Sequence, residues 1–311
     1  MSLRVQATPE RASDRSTGIP CPACGATVVP EGIGVPDHEY GLSYVARYME
    51  CNACGTLFQE PMPTIAQLAG FYPSSYHSMT HAGLLNRIRN GMRIRRLAKL
   101  VEGDGAILDY GCGDGAFLVQ AVEQMPHRRF WGFEIADPSE TIVLAGGAVT
   151  LVKGTPADLL AVLPACSLIT LNHVIEHLPE PYEVVKKLAK KLLPGGVFEG
   201  QTPAADSLER SVFGASWSGY HAPRHTVIFS RAGLCRLLER CGLSDPVVQG
   251  AFNPASLAVS LASIPHSGAG RIKRSGLKWL CFLALGGMLG PVDLLSGRPG
   301  IMNFVAQKSF G

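Results

Sequence analysis

The sequence predicts an α/β protein: a Rossmann-like, doubly wound, mostly parallel seven-stranded sheet behind a small N-terminal zinc ribbon. Three observations predict it. From residue 105 onward, short apolar runs alternate with helical patterns, the arrangement that builds a parallel sheet with helices on both faces. The glycine-rich run Asp109-Tyr110-Gly111-Cys112-Gly113-Asp114-Gly115 closes the first of those strands and opens a helix. Two Cys-x-x-Cys pairs, Cys21/Cys24 and Cys51/Cys54, lie ahead of both.

The 311 residues leave room for one large domain plus a small module. With 46% hydrophobic and 17% charged residues, the chain buries a core and is no disordered tail. A net charge of +3 is too mild to argue for a nucleic-acid partner. Of nine cysteines, the five outside the pairs are scattered, which does not resemble a disulfide framework. Residues 1–20 lack the apolar segment of a signal peptide, so the expected compartment is a reducing cytoplasm. The chain divides into a leader (1–18), a cysteine-bounded ribbon (19–60), a linker with a basic amphipathic helix (61–104), and a large domain (105–311) interrupted by an insertion (252–300).

In order, Tyr44–Tyr48 alternates as a strand should. Thr64 caps a short helix over Ile65–Phe71. A helix over 83–101 places Leu84, Leu85, Ile88, Met92, Leu97 and Leu100 on one side and a row of arginines on the other, read as a solvated face. Strands are expected at Ala106–Tyr110, Arg129–Ile135, Ala148–Val152, Ser167–Asn172 and Gly196–Gln201, then near Val247–Gly250 and Ile301–Gln307. Helices are expected at Ala116–Gln124, Ser139–Ala145, Ala157–Leu163, Glu183–Leu192 and Arg231–Cys241. The apolar run Trp279–Leu295 falls short of the roughly 20 residues of a spanning helix. It reads as a buried or lid helix, with interfacial contact through 271–296 as the sharper reading, because Arg271, Lys273, Arg274 and Lys278 precede it.

Each cysteine pair is a tight turn that points two thiolates at one centre. Two such turns give a four-sulfur tetrahedral site that suits zinc. Four ligands leave no open coordination position, so Cys21, Cys24, Cys51 and Cys54 are expected to hold a structural metal that stabilises a module too small for its own core.

The glycines of the 109–115 loop let a ligand approach the backbone at a helix N-terminus. Glu134, about twenty residues on and at the end of the next strand, can accept from two ribose hydroxyls. These motifs resemble the class I S-adenosylmethionine-dependent methyltransferase superfamily. The runs Leu171–Leu178, Leu193–Val197 and Trp217–Ser230 resemble a subgroup of methyltransferase domain 23 type that includes the ubiquinone-biosynthesis methyltransferases. The resemblance covers residues 105–250. It implies that Asp109, Gly111 and Gly113 hold the methionine part of S-adenosylmethionine, with Tyr110 and Cys112 in the same loop. It further implies that Glu134 holds the ribose, that Ile135 and Thr155 lie beside the adenine, and that Asn172 and His173 lie near the methionine end.

Methyl transfer needs an aligned acceptor and, for oxygen or carbon acceptors, a base. His173, His221 and His225 are the candidate bases, with Tyr220 beside them. Glu176 and His177 are read as bracing the following helix. Arg224 has the fork geometry to bind an anionic or carboxylated substrate, and Trp217 and Tyr220 are expected to form an aromatic wall. The function expected is methyl transfer to a small-molecule acceptor: a sugar, glycan precursor or specialised metabolite. The alternatives are an RNA or protein methyltransferase that uses the ribbon and basic helix, and a non-catalytic cofactor-binding module. A dehydrogenase is disfavoured by the Gly-x-Gly-x-Gly spacing.

Overall fold

The computed structural model describes residues 18–29, 31–72, 84–136, 139–264, 272 and 274–310, without the side chains of residues 84–86. The expected leader up to residue 17, Arg271, Lys273 and the side chains of Leu84 and Leu85 lie outside the described residues.

The N-terminal part begins with the hairpin β1 (Ile19–Pro20) and β2 (Thr27–Val28), followed by β3 (Gly32–Pro36), β4 (Val45–Glu50) and β5 (Leu57–Gln59). Next come α1 (Ile65–Gly70) and α2 (Leu84–Ala98). Thr64 caps α1 in a capping box with Gln67, as expected.

The large domain continues through β6 (Ala106–Tyr110), α3 (Ala116–Gln124), β7 (Phe130–Ile135), β8 (Glu140–Leu144), β9 (Val149–Gly154), α4 (Pro156–Val162) and β10 (Cys166–Asn172). It is completed by α5 (Pro181–Lys191), β11 (Leu192–Pro203), α6 (Leu208–Phe213), β12 (Val227–Ile228), α7 (Arg231–Arg240), β13 (Leu243–Ala251), α8 (Pro254–Ser263), α9 (Gly276–Leu295) and β14 (Ile301–Lys308).

The main sheet runs β13-β14-β11-β10-β6-β7-β9-β8. The five central strands are parallel, and β14 is antiparallel to both neighbours. Seven of the strands are the expected ones. The eighth, β8, replaces the helix expected over Ser139–Ala145. Thr141, Ile142 and Val143 are β-branched and favour extended backbone, and they pair antiparallel with β9.

Successive residues of the central strands face two different cores, as a doubly wound sheet requires. Leu108, Ile169 and Phe198 pack towards α4, α5 and α7. Ile107, Leu168 and Val197 pack towards α2 and α3.

Three sequence expectations need correction. First, α2 presents a different face: Ile94 and Leu97 are buried, whereas Ile88 and Met92 are exposed. Arg93 turns inward beside Ile94 to meet buried Asp109, and Arg96, still partly exposed, reaches down to buried Glu199, so this part of the basic row is paired with carboxylates rather than simply solvated. Second, the apolar run at the end of the insertion is a 20-residue helix, the one helix among the described residues long and apolar enough to cross a membrane. Third, that helix is not buried, since only 11% of its apolar stretch is covered. The ribbon is also joined to the large domain, because β12 pairs antiparallel with β5 in the sheet β12-β5-β4-β3.

Candidate functional site

The glycine loop joins β6 to α3. Gly111, Gly113 and Gly115 have φ of 81°, 58° and 78°, left-handed values that a side chain disfavours. At Gly111 a Cβ would also stand 2.4 Å from Val174 Cγ2. At Gly113 it would meet nothing within 4 Å, so a ligand has room to approach the backbone there. Glu134 ends β7 half-buried and accepts a hydrogen bond of 2.7 Å from the Gly113 amide. Burial pushes its carboxyl pKa up, opposed by the amides that donate to it. An acid tied to the loop backbone at a strand end fits a ribose-binding group, and the open side of Gly113 fits the remainder of a nucleoside cofactor.

The other residues expected to bind the cofactor are placed as follows. Asp109 is buried beneath the loop, where Arg93 Nη2 donates to it at 3.0 Å and to Thr170 Oγ1 at 2.8 Å. Its carboxylate supports the loop from below rather than reaching a ligand. Arg96 extends this network to Glu199 at 2.5 Å. Tyr110 packs its ring on Phe133, 4.7 Å between centroids, and is a core residue. Cys112 is half-buried within the turn, and burial pushes its thiol pKa up. Ile135 is exposed just beyond Glu134. Thr155 caps α4 in a capping box with Asp158, so its hydroxyl has a structural partner. Asn172 ends β10 half-buried.

His173 follows at the carboxyl end of β10 with φ of 57°, a conformation that costs a non-glycine residue and gathers at functional sites. Its amide donates to Gln201 O at 2.8 Å. Its ring lies between two partners, with Nδ1 3.3 Å from Glu176 Oε1 and Nε2 2.8 Å from Gln201 Oε1. The side chain is 39% exposed, whereas that of Glu176 is fully buried. Burial raises the Glu176 pKa, but the hydrogen bond and charge of His173 and the charge of His177 bring it below the usual carboxylate value. The next residue, Val174, lies against Gly111. An imidazole is therefore oriented by a buried carboxylate beside the glycine loop, the pairing that a general base requires.

His221, His225 and His177 form a group behind it. His225 Nδ1 bonds Gly219 O at 2.8 Å, and His177 Nδ1 lies 2.9 Å from Tyr72 Oη and 3.1 Å from Arg224 O. His221 Nδ1 is 2.5 Å from Glu39 Oε1. Donor atoms of Glu176, His177 and His225 lie within 4.8 Å of one another, a spacing that a metal could bridge. Burial holds His177 down to about 4 and His221 to about 3, and holds His225 well below its ordinary value. His221 and His225 are thus turned into the structure, and of the three expected bases only His173 stands half-open.

These shifts predict acid lability. A histidine that stays neutral when folded but titrates near 6.5 when unfolded lets the unfolded chain bind more protons below pH 6.5. Its effect on stability is nil above about pH 7 and grows as pH falls towards the folded pKa, by up to about 1.4 kcal/mol per pH unit for each group. Glu176, lowered in the fold, acts in the same direction at still lower pH. Buried Glu209, pushed up to about 7, acts in the opposite sense below pH 7 and offsets part of this, so melting temperature is expected to be flat from pH 8 to 7 and to fall from 6.5 to 5. A flat profile to pH 5 would show that these rings titrate normally.

The structure corrects the expected substrate-side residues. Arg224 is fully buried, donates to both carboxylate oxygens of Asp37 at 3.0–3.3 Å, and stacks 4.4 Å over the Tyr40 ring. A guanidinium so engaged is not available to a substrate. Trp217 and Tyr220 are 2% exposed and pack edge to face, so they form core rather than an aromatic wall, and Tyr220 is no acid or base. Sequence reasoning missed Asp37, Glu39, Tyr72, Arg93 and Gln201. Only Arg93 had a local signal, its position three residues before Arg96 on one helix face.

In the ribbon, Cys21 Sγ is 3.8 Å from Cys54 Sγ, and Cys24 Sγ is 3.6 Å from Cys51 Sγ. A disulfide needs about 2.05 Å. The edge of a zinc–sulfur tetrahedron with bonds of about 2.3 Å is about 3.8 Å, so the four thiols fit zinc. Gly25 and Gly55, at φ of 79° and 75°, close each turn by donating to Cys21 O and Cys51 O. The amides of Ala23 and Cys24 reach the Cys21 sulfur, those of Ala53 and Cys54 reach Cys51, and that of Thr56 reaches Cys54. Helix α7 clasps both turns: Arg240 donates to Ala23 O and Arg236 to Ala53 O, each at 2.6 Å. Purified protein is expected to carry one zinc per chain, and strong chelation to lower its melting temperature. A metal-free protein with unchanged melting would contradict this.

A family model described as a methyltransferase domain matches residues 86–246. A trans-aconitate 2-methyltransferase of Azoarcus sp. (strain BH72) is 34% identical over 110 residues, spanning 34% of this chain. The match covers 43% of that relative, less than half its length. Among solved structures, an S-adenosylmethionine-dependent methyltransferase from Archaeoglobus fulgidus is similar with a TM-score of 0.46 and 17% identity, over 71% of this chain and 94% of that one. A Galdieria sulphuraria protein described as a sarcosine dimethylglycine methyltransferase gives 0.44 and 17%, over 73% and 86%.

Proposed function

Because the chain belongs to the methyltransferase-domain family, as a class I S-adenosylmethionine-dependent member, we propose that it methylates a small-molecule acceptor: a sugar, glycan precursor or specialised metabolite. The observation that carries this reading is His173, half-exposed at the end of β10, with its ring held by Glu176 and Gln201. Bound S-adenosylmethionine supplies an electrophilic methyl on a sulfonium. Glu134 and the Gly111–Gly113 backbone bind and orient the nucleoside and methionine parts, while Asp109 and Arg93 stiffen the loop from beneath.

With the single ring proton of His173 on Nδ1 and donated to Glu176, Nε2 takes the acceptor proton once the Gln201 carboxamide, whose nitrogen donates to Asn303, moves off it. Glu176, buried and held as a carboxylate, stabilises the imidazolium that results. The pairing of Arg93 with Asp109 and of Arg96 with Glu199 neutralises two cations that could otherwise serve an RNA or acidic protein substrate. All nine cysteines are unpaired, which supports a reducing compartment such as the cytoplasm.

The test is release of S-adenosylhomocysteine with a panel of acceptors. Small carboxylic acids come first, since the Azoarcus relative is named for one, and hydroxylated sugars second. Turnover with a small molecule supports the reading. Turnover confined to RNA or peptide would overturn it.

A further inference from the structure

The face of α9 turned away from the protein has no place in this reaction. Leu277, Leu280, Met288, Leu289, Val292 and Leu295 are all exposed, from 41% to 87%. Their spacing of three, four and seven or eight residues makes a continuous stripe along the helix. The opposite side is closely packed. Trp279 and Phe282 lie on Val259, Ala262 and Ile272, and a Cβ at Gly286 would collide with Pro254 O at 2.2 Å. A bare apolar stripe of this length on a packed helix marks a surface that something covers.

We propose that α9 lies flat on an anionic lipid bilayer and docks the enzyme there. Charge complementarity selects this occupant. From Pro246 to Val292 the sequence holds four lysines and arginines and no aspartate or glutamate; Arg274 is paired with Glu39, and Asp293, near the far end of α9, accepts from the Gly300 amide. Among these cations, Lys278 is exposed at the start of the helix. Its long side chain can reach headgroups while the stripe enters the acyl boundary. A second copy of the chain would oppose this face with an equally cationic one.

The connections exclude a spanning helix. Strand β14 begins six residues after Leu295, and six residues reach about 20 Å at most, short of the roughly 30 Å of a hydrocarbon core. At the other end, the Ile272 amide donates to Glu39 O at 3.2 Å. Both ends are thus held on the same body, and the helix can only lie in the interface.

The experiment is flotation of the full-length protein with two kinds of vesicle: phosphatidylcholine alone, and phosphatidylcholine with about one-third phosphatidylglycerol. The wild type is expected to float with the anionic vesicles at least about tenfold better than with the neutral ones, and to be released by salt. Met288→Asp is expected to abolish flotation. Lys278→Glu is expected to weaken it about fivefold or more. Both variants change exposed positions, and unchanged melting and S-adenosylhomocysteine binding show that they fold. Absence of flotation by cofactor-binding wild type would overturn the proposal. So would a dimer in light scattering that Met288→Asp dissociates while vesicles bind neither protein. Failure of methyl transfer would leave the flotation result standing.

Discussion

Asp37→Ala is expected to destabilise the protein by about 3–5 kcal/mol, a large share of the roughly 5–15 kcal/mol that holds a typical protein folded. Asp37 and Arg224 are both fully buried and joined through both carboxylate oxygens. Asp37 also accepts from the amides of Glu39, Tyr40 and Leu42 at 3.0–3.3 Å. Removing the carboxylate leaves a guanidinium in the interior with, among the described residues, the Ala222 carbonyl and the Tyr40 ring as its remaining partners. The damage spreads because the pair joins the ribbon side to the segment that carries His221 and His225. Tyr48 and Gln59 hold that same segment through the carbonyls of Pro223 and His225. Urea unfolding followed by fluorescence checks the value. Arg224→Met, which removes the other partner, is expected to fall in the same range, and a loss below about 1 kcal/mol for both would mean that the pair is solvated.

His173→Ala is expected to lower kcat by about 10²–10⁴-fold, the usual contribution of a positioned base, while changing cofactor affinity only a few-fold. The split follows from geometry. The ring is held by Glu176 and Gln201, whereas the side chain that borders the loop at Gly111 is that of Val174. Glu176→Gln is expected to give a smaller loss with the acceptor KM near its original value, since the ring stays in place but loses the charge that stabilises the imidazolium. Rates measured once an acceptor is known check both. Equal losses in kcat and cofactor affinity would assign His173 to cofactor binding instead.

Local chemistry was legible in the sequence wherever neighbours in the chain decide the outcome. Helix α3 matches its expected span from Ala116 to Gln124. The Thr64 cap, the glycine loop and the four converging cysteines are also read from short spacings. What escaped depends on partners far away in the chain. Asp37 and Arg224 are 187 residues apart, and no local pattern marks either as its partner's neutraliser, so Arg224 reads as a free anion-binding fork. The inner face of α2 is not legible locally because two arginines lie on it, satisfied by Asp109 and Glu199 on the sheet beneath. Residues 139–145 are ambiguous locally because a short apolar stretch suits either a helix or an edge strand, and the open edge of β9 decides for the strand. The bare stripe on α9 is apolar in sequence, but only the fold shows which half of the helix α8 covers.

The most direct test of the central claim is calorimetric titration of folded, zinc-loaded protein with S-adenosylhomocysteine, beside Glu134→Ala. Wild type is expected to bind, and the variant to bind at least about tenfold more weakly, since hydrogen bonds to a charged group contribute about 1.5–3 kcal/mol each. A wild-type protein that does not bind, or a variant that binds equally well, would contradict the assignment of this loop and this acid to the cofactor.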